Sequence, residues 1–437
     1  MARVLMGPLE RALVVENPDQ SLDNMLIDAG MTVTRLSDAP EEAALIEAMQ
    51  TSRAQVLFKR SRVPVTRAVV EACPDLFAVQ LCCIGDDSVD KQACADHGVL
   101  VFNDPVSNGR SVVEMVIAHL ISLSRRLFET DPNCRQGIWE KNNTERYEIK
   151  GKTLGILGLG NIGRQVARAA EALGMRIRFF DSRYAATEVG TEFGWEAAAS
   201  IEDLMAGSDY VTVHFSARNA RGQSNDDILD EALLKALGRD RPANSPRIFL
   251  NLGRGFLHTP EALISAIDAG VIRRAAVDVY PVEPRGKESW ANPYASEPRV
   301  AVTPHIGAAT QEAQPRIAKR VAWTLGQFSK SGTVRDMVFG PRARLGLVDQ
   351  SSQNKVLLAV AHSTVRGTKR AVDDAIYKAG ASNLSSVHKD FEELGVAYDL
   401  SVIDRALTED EVHGLVATAS EVTGDDNAIR SVRQIRL

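Results

Sequence analysis

The sequence predicts an α/β protein with two doubly wound parallel-sheet domains, followed by a smaller C-terminal βαββαβ domain. Three observations support this fold class. Short β-rich runs alternate with helical patterns up to about residue 302, which is typical of parallel sheets covered on both faces. A glycine-rich turn opens a second such series near residue 158, and the tail follows a different order of elements. A chain of 437 residues has the length for several domains.

The first series of elements precedes residue 103. Its expected strands are residues 12–15, 31–36, 54–58, 77–83 and 100–102. The segment Pro40-Glu41-Glu42 opens a helix over 43–49, because proline and acidic residues suit the start of a helix. A long helix with one apolar stripe, residues 111–126, follows these strands and is expected to link two domains.

The second series begins at Thr153 and ends near Val302. Its expected strands are residues 153–157, 176–180, 210–214, 247–250, 275–279 and 300–303. A helix over 311–328 comes next, and residues 330–353 have the composition of a linker. In the tail, the expected strands are 355–361, 385–389, 396–403 and 429–435, with helices at 368–379 and 409–422. This order is the ferredoxin-like split-βαβ pattern.

Charge and cysteine content exclude several classes of protein. The formal charge of −6 is spread along the chain, so neither nucleic acid nor a membrane surface is an expected partner. No run reaches the ~18 apolar residues that a spanning helix requires, and the N-terminus has no signal-peptide pattern. The five cysteines form no repeated metal-binding pairs; we expect buried thiols, no metal site, and a cytoplasmic protein.

The segment Gly158-Leu159-Gly160-Asn161-Ile162-Gly163 fits the pattern GxGxxG. It directly follows an apolar strand and opens a helix, and the next strand ends in Asp181. Gly158, Gly160 and Gly163 permit a tight turn that lets a pyrophosphate approach the backbone N–H groups at a helix start. Asp181 has the spacing of a carboxylate that binds a ribose 2′-hydroxyl, so the sequence predicts a dinucleotide site.

A second group of polar residues follows the carboxyl ends of later strands. Arg254 lies in Gly253-Arg254-Gly255, Glu283 lies in the segment 278–284, and His305 follows Thr303-Pro304. Open α/β sheets bind their ligands at this edge. The three side chains supply a fixed cation, an imidazole acid/base and a carboxylate able to orient the imidazole, a combination that indicates acid/base catalysis.

These segments resemble the D-isomer-specific 2-hydroxyacid dehydrogenase family over roughly residues 50–320. Residues 84–90, 102–112 and 310–314 add to the resemblance and are similar to the members that act on D-3-phosphoglycerate. The βαββαβ tail resembles the ACT domain that many such dehydrogenases carry. Its segment Thr364-Val365-Arg366-Gly367 departs from the family's Asn-x-Pro-Gly effector turn, which favours an oligomerisation role over amino-acid sensing.

The resemblance implies a catalytic triad of Arg254, Glu283 and His305, with NAD as cofactor. It also implies cofactor contacts at a wider set of positions: Gly158, Gly160, Asn161, Ile162, Gly163, Asp181, Leu252, Asp278 and Gly307. The expected domains are a flavodoxin-like substrate domain formed by 1–107 and 305–345, a Rossmann-type NAD domain inserted at 108–304, and the ACT-like domain at 354–437.

The resemblance also implies a phosphorylated substrate, D-3-phosphoglycerate, oxidised in the first step of serine biosynthesis. The implied substrate contacts are Arg60, Arg62, Gly85, Asn108 and Arg110. Three arginines in segments expected to face one cleft suit the bidentate binding of a phosphate group. The expected assembly is a homodimer or a homotetramer.

Two alternatives remain open at this stage. The chain could be a dehydrogenase for another D-2-hydroxy acid, such as glycerate or a phosphorylated sugar acid. It could also be an NAD-sensing corepressor, similar to the C-terminal-binding proteins, which share the fold and the triad. The ACT-like tail and the arginines argue against the corepressor, and a panel of 2-hydroxy acids would discriminate all three.

Overall fold

The computed structural model describes residues 2–219, 223–284, 289–340, 345–346 and 355–436. The chain divides into two compact units, one formed by Met1–Ser107 with Gln314–Leu437 and the other by Asn108–Ala313. Among the described helices, none is both long and apolar enough to cross a membrane. The predicted fold class is confirmed, since both doubly wound sheets and the C-terminal βαββαβ sheet are present.

The first unit begins with a short strand, β1, and continues into a doubly wound sheet. Its elements up to residue 107 are β1 (Arg3–Met6), β2 (Arg11–Val14), α1 (Ser21–Asp28), β3 (Thr32–Arg35), α2 (Glu42–Ser52), β4 (Val56–Lys59), α3 (Arg67–Ala72), β5 (Ala78–Leu81), α4 (Lys91–Asp96) and β6 (Leu100–Phe102). The sheet has the order β3-β2-β4-β5-β6 with every pair parallel, which is the flavodoxin-like arrangement. Strands β4, β5 and β6 are buried along their whole length, as expected of a sheet covered on both faces.

The second unit is built on a seven-stranded sheet. Its elements are α5 (Gly109–Arg125), α6 (Leu127–Arg135), β7 (Thr153–Leu157), α7 (Asn161–Ala172), β8 (Arg176–Phe180), α8 (Tyr184–Glu192), β9 (Glu196–Ala197), α9 (Ile201–Ala206), β10 (Tyr210–Val213), α10 (Glu231–Lys235), β11 (Ile248–Asn251), α11 (Pro260–Asp268), β12 (Arg274–Val277) and β13 (Val300–Val302). The strand order is β13-β12-β11-β10-β7-β8-β9. The chain adds β8 and β9 on one side of β7 and β10 to β13 on the other side, which is the Rossmann arrangement. Helix α5, predicted as a link, packs its buried residues into the core of this unit.

The first unit is completed by the C-terminal part of the chain. Its elements are α12 (Ala313–Ser331), β14 (Val356–Ser363), α13 (Thr368–Lys378), β15 (Asn383–Phe391), β16 (Val396–Ile403), α14 (Glu409–Thr423) and β17 (Ile429–Arg436). The sheet has the order β1-β17-β14-β16-β15. The four C-terminal strands are antiparallel neighbours, as the ferredoxin-like pattern predicts, whereas β1 pairs in parallel with β17 and was not predicted.

The predicted linker at residues 330–353 is wrong for the part that the structure describes. Val334 pairs with Leu345, and Met337 pairs with Phe102 at the end of β6. These side chains are buried in the same hydrophobic core as the sheet formed by β2 to β6, so the segment is packed rather than free. Glycines, serines and charges led to the linker prediction, but the apolar residues between them decide the structure. Residues 341–344 and 347–353 of the predicted linker lie outside the described residues.

Three buried arginines of the C-terminal sheet bind carbonyls near the ends of helices in the first unit. Arg3 and Arg430 donate to carbonyls near the ends of α3 and α4. Arg433 donates to the Ser329 carbonyl at 3.1 Å and to the Phe328 carbonyl in α12, and its guanidinium lies 4.0 Å from the centre of the Phe328 ring. Helix C-terminal carbonyls lack partners within the helix and carry partial negative charge, so these contacts fasten the sheet to the helices.

We expect Arg433→Met to lower the free energy of unfolding by about 2 kcal/mol, because two buried carbonyls lose their donor. The Arg433 side chain is almost fully buried, so water cannot replace the lost hydrogen bonds. Arg436→Met on the same strand is the matched control, since Arg436 is exposed and should cost less than about 0.5 kcal/mol. Urea denaturation of the two variants measures both values, and equal midpoints would contradict the role assigned to Arg433.

All five cysteines are free thiols. Cys73, Cys82 and Cys94 are buried, as predicted, and burial raises the pKa of each thiol, to about 11 for Cys73. The prediction of a buried thiol is wrong for Cys134, which is exposed at the end of α6. Helix α6 has no buried residue of its own, and the polar residues around Cys134 agree with its exposure.

Candidate active site

The glycine turn lies between β7 and α7, as predicted. Gly158 has a φ of +95°, and a Cβ there would come within 2.7 Å of the His214 carbonyl oxygen. A Cβ on Gly163 would clash with the Gly158 carbonyl oxygen. Gly160 precedes the first residue of α7, Asn161, and a Cβ at Gly160 would meet only open space and the far end of Arg183. The turn therefore offers the N-terminus of α7 to an anion, and its residues fit a pyrophosphate.

Asp181 lies at the end of β8, where its carboxylate reaches back to the glycine turn. It accepts hydrogen bonds from the Leu159 N–H at 2.8 Å and from the Arg183 N–H at 2.9 Å. The Arg183 guanidinium also donates to both carboxylate oxygens, at 2.9 and 2.7 Å. Burial acts to raise the pKa of Asp181, but the hydrogen bonds from Arg183 and Leu159 outweigh it and hold that pKa below its usual value. Asp181 is therefore ionised at neutral pH.

Arg254 follows β11 in a turn that Asn251 holds in shape. The Asn251 side chain accepts a hydrogen bond from the Gly253 N–H at 3.1 Å and donates one to the Arg254 carbonyl at 2.9 Å. A Cβ on Gly255 would clash with the backbone of Tyr280, so glycine is required there. The Arg254 side chain is half-buried and donates to the Gly253 carbonyl at 3.0 Å, while Leu252 is buried beside it.

Asp278 organises the loop that follows β13. Its carboxylate accepts hydrogen bonds from the Thr303 hydroxyl at 2.6 Å, the Ile306 N–H at 2.9 Å and the Gly307 N–H at 2.8 Å. The same loop carries His305, whose φ of +54° lies in the left-handed region. Asp278 thus fixes the backbone on both sides of His305, and its oxygens are engaged with the chain itself.

His305 and Glu283 form a hydrogen-bonded pair in the second unit. The His305 Nδ1 atom lies 2.7 Å from Glu283 Oε2, and Glu283 Oε1 accepts from the Tyr280 N–H at 3.2 Å. The hydrogen bond to Glu283 raises the pKa of His305 against the opposing effect of burial. Burial acts to raise the pKa of Glu283, but His305, together with the nearby Arg254 charge, lowers it overall. The pair therefore favours an imidazolium beside an ionised carboxylate.

The expected substrate contacts divide between the two units. In the first unit, Arg60 and Arg62 follow β4, and Gly85 follows β5, so all three lie at the carboxyl edge of that sheet. Arg62 is exposed, and its guanidinium lies 4.0 Å from the buried Glu16 carboxylate. Among the described residues, the Arg60 guanidinium has no salt-bridge partner. This edge therefore carries two guanidinium groups, one of them next to a carboxylate.

Two further expected contacts, Asn108 and Arg110, begin the second unit. Asn108 caps α5 and is buried, and its Oδ1 atom has no hydrogen-bond partner within the described ranges. Arg110 is exposed and pairs with Glu114 at 2.6 Å, one turn further along the helix. Surface pairs of this kind contribute little to stability, so the Arg110 side chain can exchange Glu114 for another anion.

Sequence reasoning missed two residues that hold the site in shape. Tyr280 donates from its hydroxyl to the Thr303 carbonyl at 3.0 Å, and its backbone N–H binds Glu283. Asn251 fixes the turn that precedes Arg254. Asn251 had a signal in the sequence, because a polar residue in the last position of an apolar, buried strand usually has a specific partner. The contacts of Tyr280 depend on tertiary structure, so the sequence around Tyr280 carries no signal for them.

The geometry of this unit agrees with a comparison of the sequence with known families. Residues 117–307 match the family described as "D-isomer specific 2-hydroxyacid dehydrogenase, NAD binding domain". Relatives at 30% identity or more align with most of the chain. The chain therefore belongs to the D-isomer-specific 2-hydroxyacid dehydrogenase family, as an NAD-dependent oxidoreductase for a small hydroxy acid.

Two relatives and one solved structure illustrate the likeness. D-3-phosphoglycerate dehydrogenase 1 of Saccharomyces cerevisiae is 30% identical over 94% of this chain and 86% of its own length. D-3-phosphoglycerate dehydrogenase of Escherichia coli is 33% identical over 77% of this chain and 78% of its own length. A glyoxylate reductase from Paecilomyes thermophila, at 24% identity, shares the fold with a TM-score of 0.64 over 76% of this chain and 98% of that one.

Proposed function

We propose that this chain oxidises D-3-phosphoglycerate to 3-phosphohydroxypyruvate, the first step of serine biosynthesis. The observation that carries the chemistry is the pair of His305 and Glu283, 2.7 Å apart beside the Arg254 charge at the carboxyl edge of a Rossmann sheet. The choice of substrate rests on the relatives that align with most of the chain, which are named D-3-phosphoglycerate dehydrogenases. The arginines after β4, the half-buried Arg60 and the exposed Arg62, suit a phosphorylated substrate.

His305 acts as the general base in this proposal. Glu283 binds the N–H at Nδ1, so the neutral ring carries its lone pair at Nε2, where it can accept the proton of the substrate's C2 hydroxyl. The imidazolium that forms is stabilised by the Glu283 carboxylate. In the reverse direction the same imidazolium returns the proton to the carbonyl oxygen, so one residue serves both directions.

Arg254 binds the substrate carboxylate and polarises the C2 oxygen. A guanidinium keeps its charge at every relevant pH and binds a carboxylate through two parallel N–H groups. Asn251 and Gly255 fix the turn, so the backbone of Arg254 is held in a defined position. Its charge, close enough to lower the pKa of Glu283, also keeps that carboxylate ionised.

The residues present fit NAD, which when bound accepts the hydride from C2 of the substrate. Gly158, Gly160 and Gly163, with Asn161 and Ile162 at the start of α7, would hold the pyrophosphate. Asp181 would bind the ribose hydroxyls, and Leu252 and Gly307 would line the nicotinamide end. We assign Asp278 to the positioning of the 303–307 loop, because it accepts hydrogen bonds from Thr303, Ile306 and Gly307 of that loop.

A substrate panel tests the whole proposal. The purified chain with NAD⁺ should oxidise D-3-phosphoglycerate with a kcat/KM at least about tenfold above that for D-glycerate or D-lactate, because these lack the phosphate and a lost ion pair costs at least one such factor. A phosphorylated sugar acid completes the panel. NADH formation at 340 nm is the readout. A higher kcat/KM for another 2-hydroxy acid would identify that acid as the substrate instead. If none of the acids is oxidised and the chain captures a protein only when NADH is bound, the corepressor alternative is favoured.

We expect Arg60→Ala to raise KM for D-3-phosphoglycerate by about 10- to 100-fold with less than a threefold change in kcat, because a charge-assisted phosphate contact is lost equally from ground and transition states. Arg62→Ala should act in the same way. Arg53→Ala is the matched control, since Arg53 is an exposed arginine paired with Asp75. If KM stays unchanged in both loop variants, the phosphate binds elsewhere, and Arg110→Ala becomes the next measurement.

The pH profile should depend on Glu283. The raised pKa of His305 means that its neutral, proton-accepting form is lost as the pH falls through that value, so kcat/KM for oxidation should rise with pH and reach a plateau above it. Glu283→Gln removes the charge that raises this pKa. The midpoint of the kcat/KM profile of Glu283→Gln should therefore lie about one pH unit lower than that of the wild type. A midpoint that stays in place or moves upward would contradict the pairing.

We also propose that the chain forms a homodimer or homotetramer in the cytoplasm. Exposed apolar side chains of the second unit support the assembly: Leu127 and Phe128 begin α6, and Trp139 is 83% exposed. Soluble monomers rarely expose such a group of residues without a partner. The five free thiols support a reducing compartment.

A further inference from the structure

Two histidines and an aspartate lie together on one face of the C-terminal sheet, far from the dehydrogenase chemistry in the sequence. His362 is the last residue but one of β14, His388 lies in β15, and Asp399 lies in β16. The helices α13 and α14 cover this face, where β14 contributes Val356, Leu358 and Val360 to the core beneath them. One donor atom from each of the three residues lies within 4.8 Å of the other two.

One ring nitrogen of His362 carries a lone pair that accepts no hydrogen bond from any described residue. Its Nδ1 atom lies 2.7 Å from the Ser363 carbonyl oxygen, which can only accept, so Nδ1 carries the proton. The lone pair is therefore on Nε2. The residue is 2% exposed, and Nε2 has no hydrogen-bond partner among the described residues. A buried, unpaired acceptor is costly, and it calls for a donor or a cation.

His388 is oriented in a similar way by a carboxylate. Its Nε2 atom lies 3.1 Å from Asp390 Oδ1, so Nε2 donates and the lone pair lies on Nδ1. That Nδ1 atom is 3.6 Å from Asp399 Oδ2, too far for a strong hydrogen bond between them. The rings of His362 and His388 stack with their centres 5.4 Å apart. Both histidines thus donate through one ring nitrogen to a second partner and keep a lone pair on the other nitrogen.

We propose that His362 Nε2, His388 Nδ1 and Asp399 Oδ2 bind one divalent transition-metal ion of the zinc class. Imidazole nitrogen and carboxylate oxygen are ligands that Zn²⁺ accepts, and two tetrahedral ligands about 2.1 Å from the ion lie about 3.4 Å apart. The 3.6 Å between His388 and Asp399 already matches this separation. Hydrogen bonds from the outer ring nitrogen to a carbonyl and a carboxylate are the usual support of metal-binding histidines. Three protein ligands leave a fourth position for water at the exposed His388 side.

Lys369 is the competing cation. Its Nζ atom lies 2.9 Å from Asp399 Oδ2 and 2.6 Å from Asp373 Oδ1. A carboxylate oxygen has two lone pairs, so Lys369 and a metal ion can share Asp399, and Asp373 can retain the ammonium if the metal displaces it.

The bound ion would connect three strands, including an edge. Among the described strands, β15 pairs with β16 only, and eight of the nine residues of β15 are at least partly exposed. Its packing therefore contributes little to holding it in place. A metal ion held between β14, β15 and β16 would fasten this edge strand to the rest of the sheet. The sequence gives no metal motif, because the three ligands come from three separate strands.

Zinc chloride titrated into the metal-free full chain tests the proposal by calorimetry and thermal unfolding. We expect about one ion bound per chain at micromolar concentration through these residues, and a rise of at least about 3 °C in the unfolding temperature. His388→Ala should remove this ion and the rise, because it deletes one of three ligands at an exposed position that the fold tolerates. His413→Ala, an exposed histidine of α14, is the matched control and should bind as the wild type does.

Two results would overturn the site. One is equal zinc stoichiometry and affinity in the wild type and His388→Ala; since His305 and Glu283 are intact in both, that result would move the ion elsewhere. The other is no binding below millimolar zinc. Lys369→Met adds an independent measurement: loss of the competing ammonium should tighten zinc binding about tenfold, whereas weaker or equal binding would contradict the shared use of Asp399.

Discussion

His305→Asn should lower kcat for D-3-phosphoglycerate oxidation by about 10³- to 10⁴-fold while the dissociation constant for NADH changes less than about threefold. The expected loss is the contribution of a positioned general base. Asparagine is the informative replacement because it tolerates the left-handed backbone of His305, with a φ of +54°, better than alanine does. The loss can then be assigned to the imidazole rather than to a distorted loop.

Single-turnover absorbance and NADH fluorescence titration measure the two quantities. His413→Asn, an exposed histidine in α14, is the control and should retain wild-type values. Turnover of His305→Asn within tenfold of the wild type would contradict the mechanism. A large loss of NADH affinity would instead indicate that the 303–307 loop, fixed by Asp278, had moved.

Asp181→Ser should change the preference between NAD and NADP by about 10³-fold in favour of NADP. In the wild type the ionised Asp181 would repel a 2′-phosphate, and such a like-charge contact costs several kcal/mol. The substitution also releases the Arg183 guanidinium, which now binds both carboxylate oxygens, to pair with that phosphate. Both effects act in one direction, so the change is large.

The ratio of kcat/KM values for the two cofactors measures this change. Arg183→Gln is the matched variant, because it leaves the Asp181 charge uncompensated and should increase the preference for NAD. The double variant should lose most of the gain seen with Asp181→Ser, since no cation remains for the phosphate. Equal use of both cofactors by the wild type would mean that Asp181 does not face the ribose.

Most of the architecture could be predicted from periodicity alone. The strands β7, β8 and β16 have the bounds that their apolar runs indicate, and the glycine turn follows β7 as its spacing requires. These features depend on neighbours close in sequence, which a pattern records. The chemistry at the strand ends was predictable for the same reason, because every parallel strand ends at one edge of its sheet.

Features that depend on distant parts of the chain escaped prediction. β1 is only four residues long, and its partner β17 is at the other end of the sequence. The segment 332–340 resembles a linker in composition, yet Val334 and Met337 pair with backbone that no local signal specifies. The contacts of Tyr280 with Thr303 and Glu283 likewise arise only when separate loops meet.

The pairing of β1 with β17 has a consequence for biosynthesis. Arg3 lies opposite Ser431 in the register of these strands, so the C-terminal sheet cannot be completed until β17 has left the ribosome, long after β1. Loop closure over such a span is entropically costly and slow. Until then residues 3–6 remain an unpaired strand during synthesis, available to chaperones or to the wrong neighbour. The order of translation thus makes closure of this sheet a late step in the maturation of the enzyme.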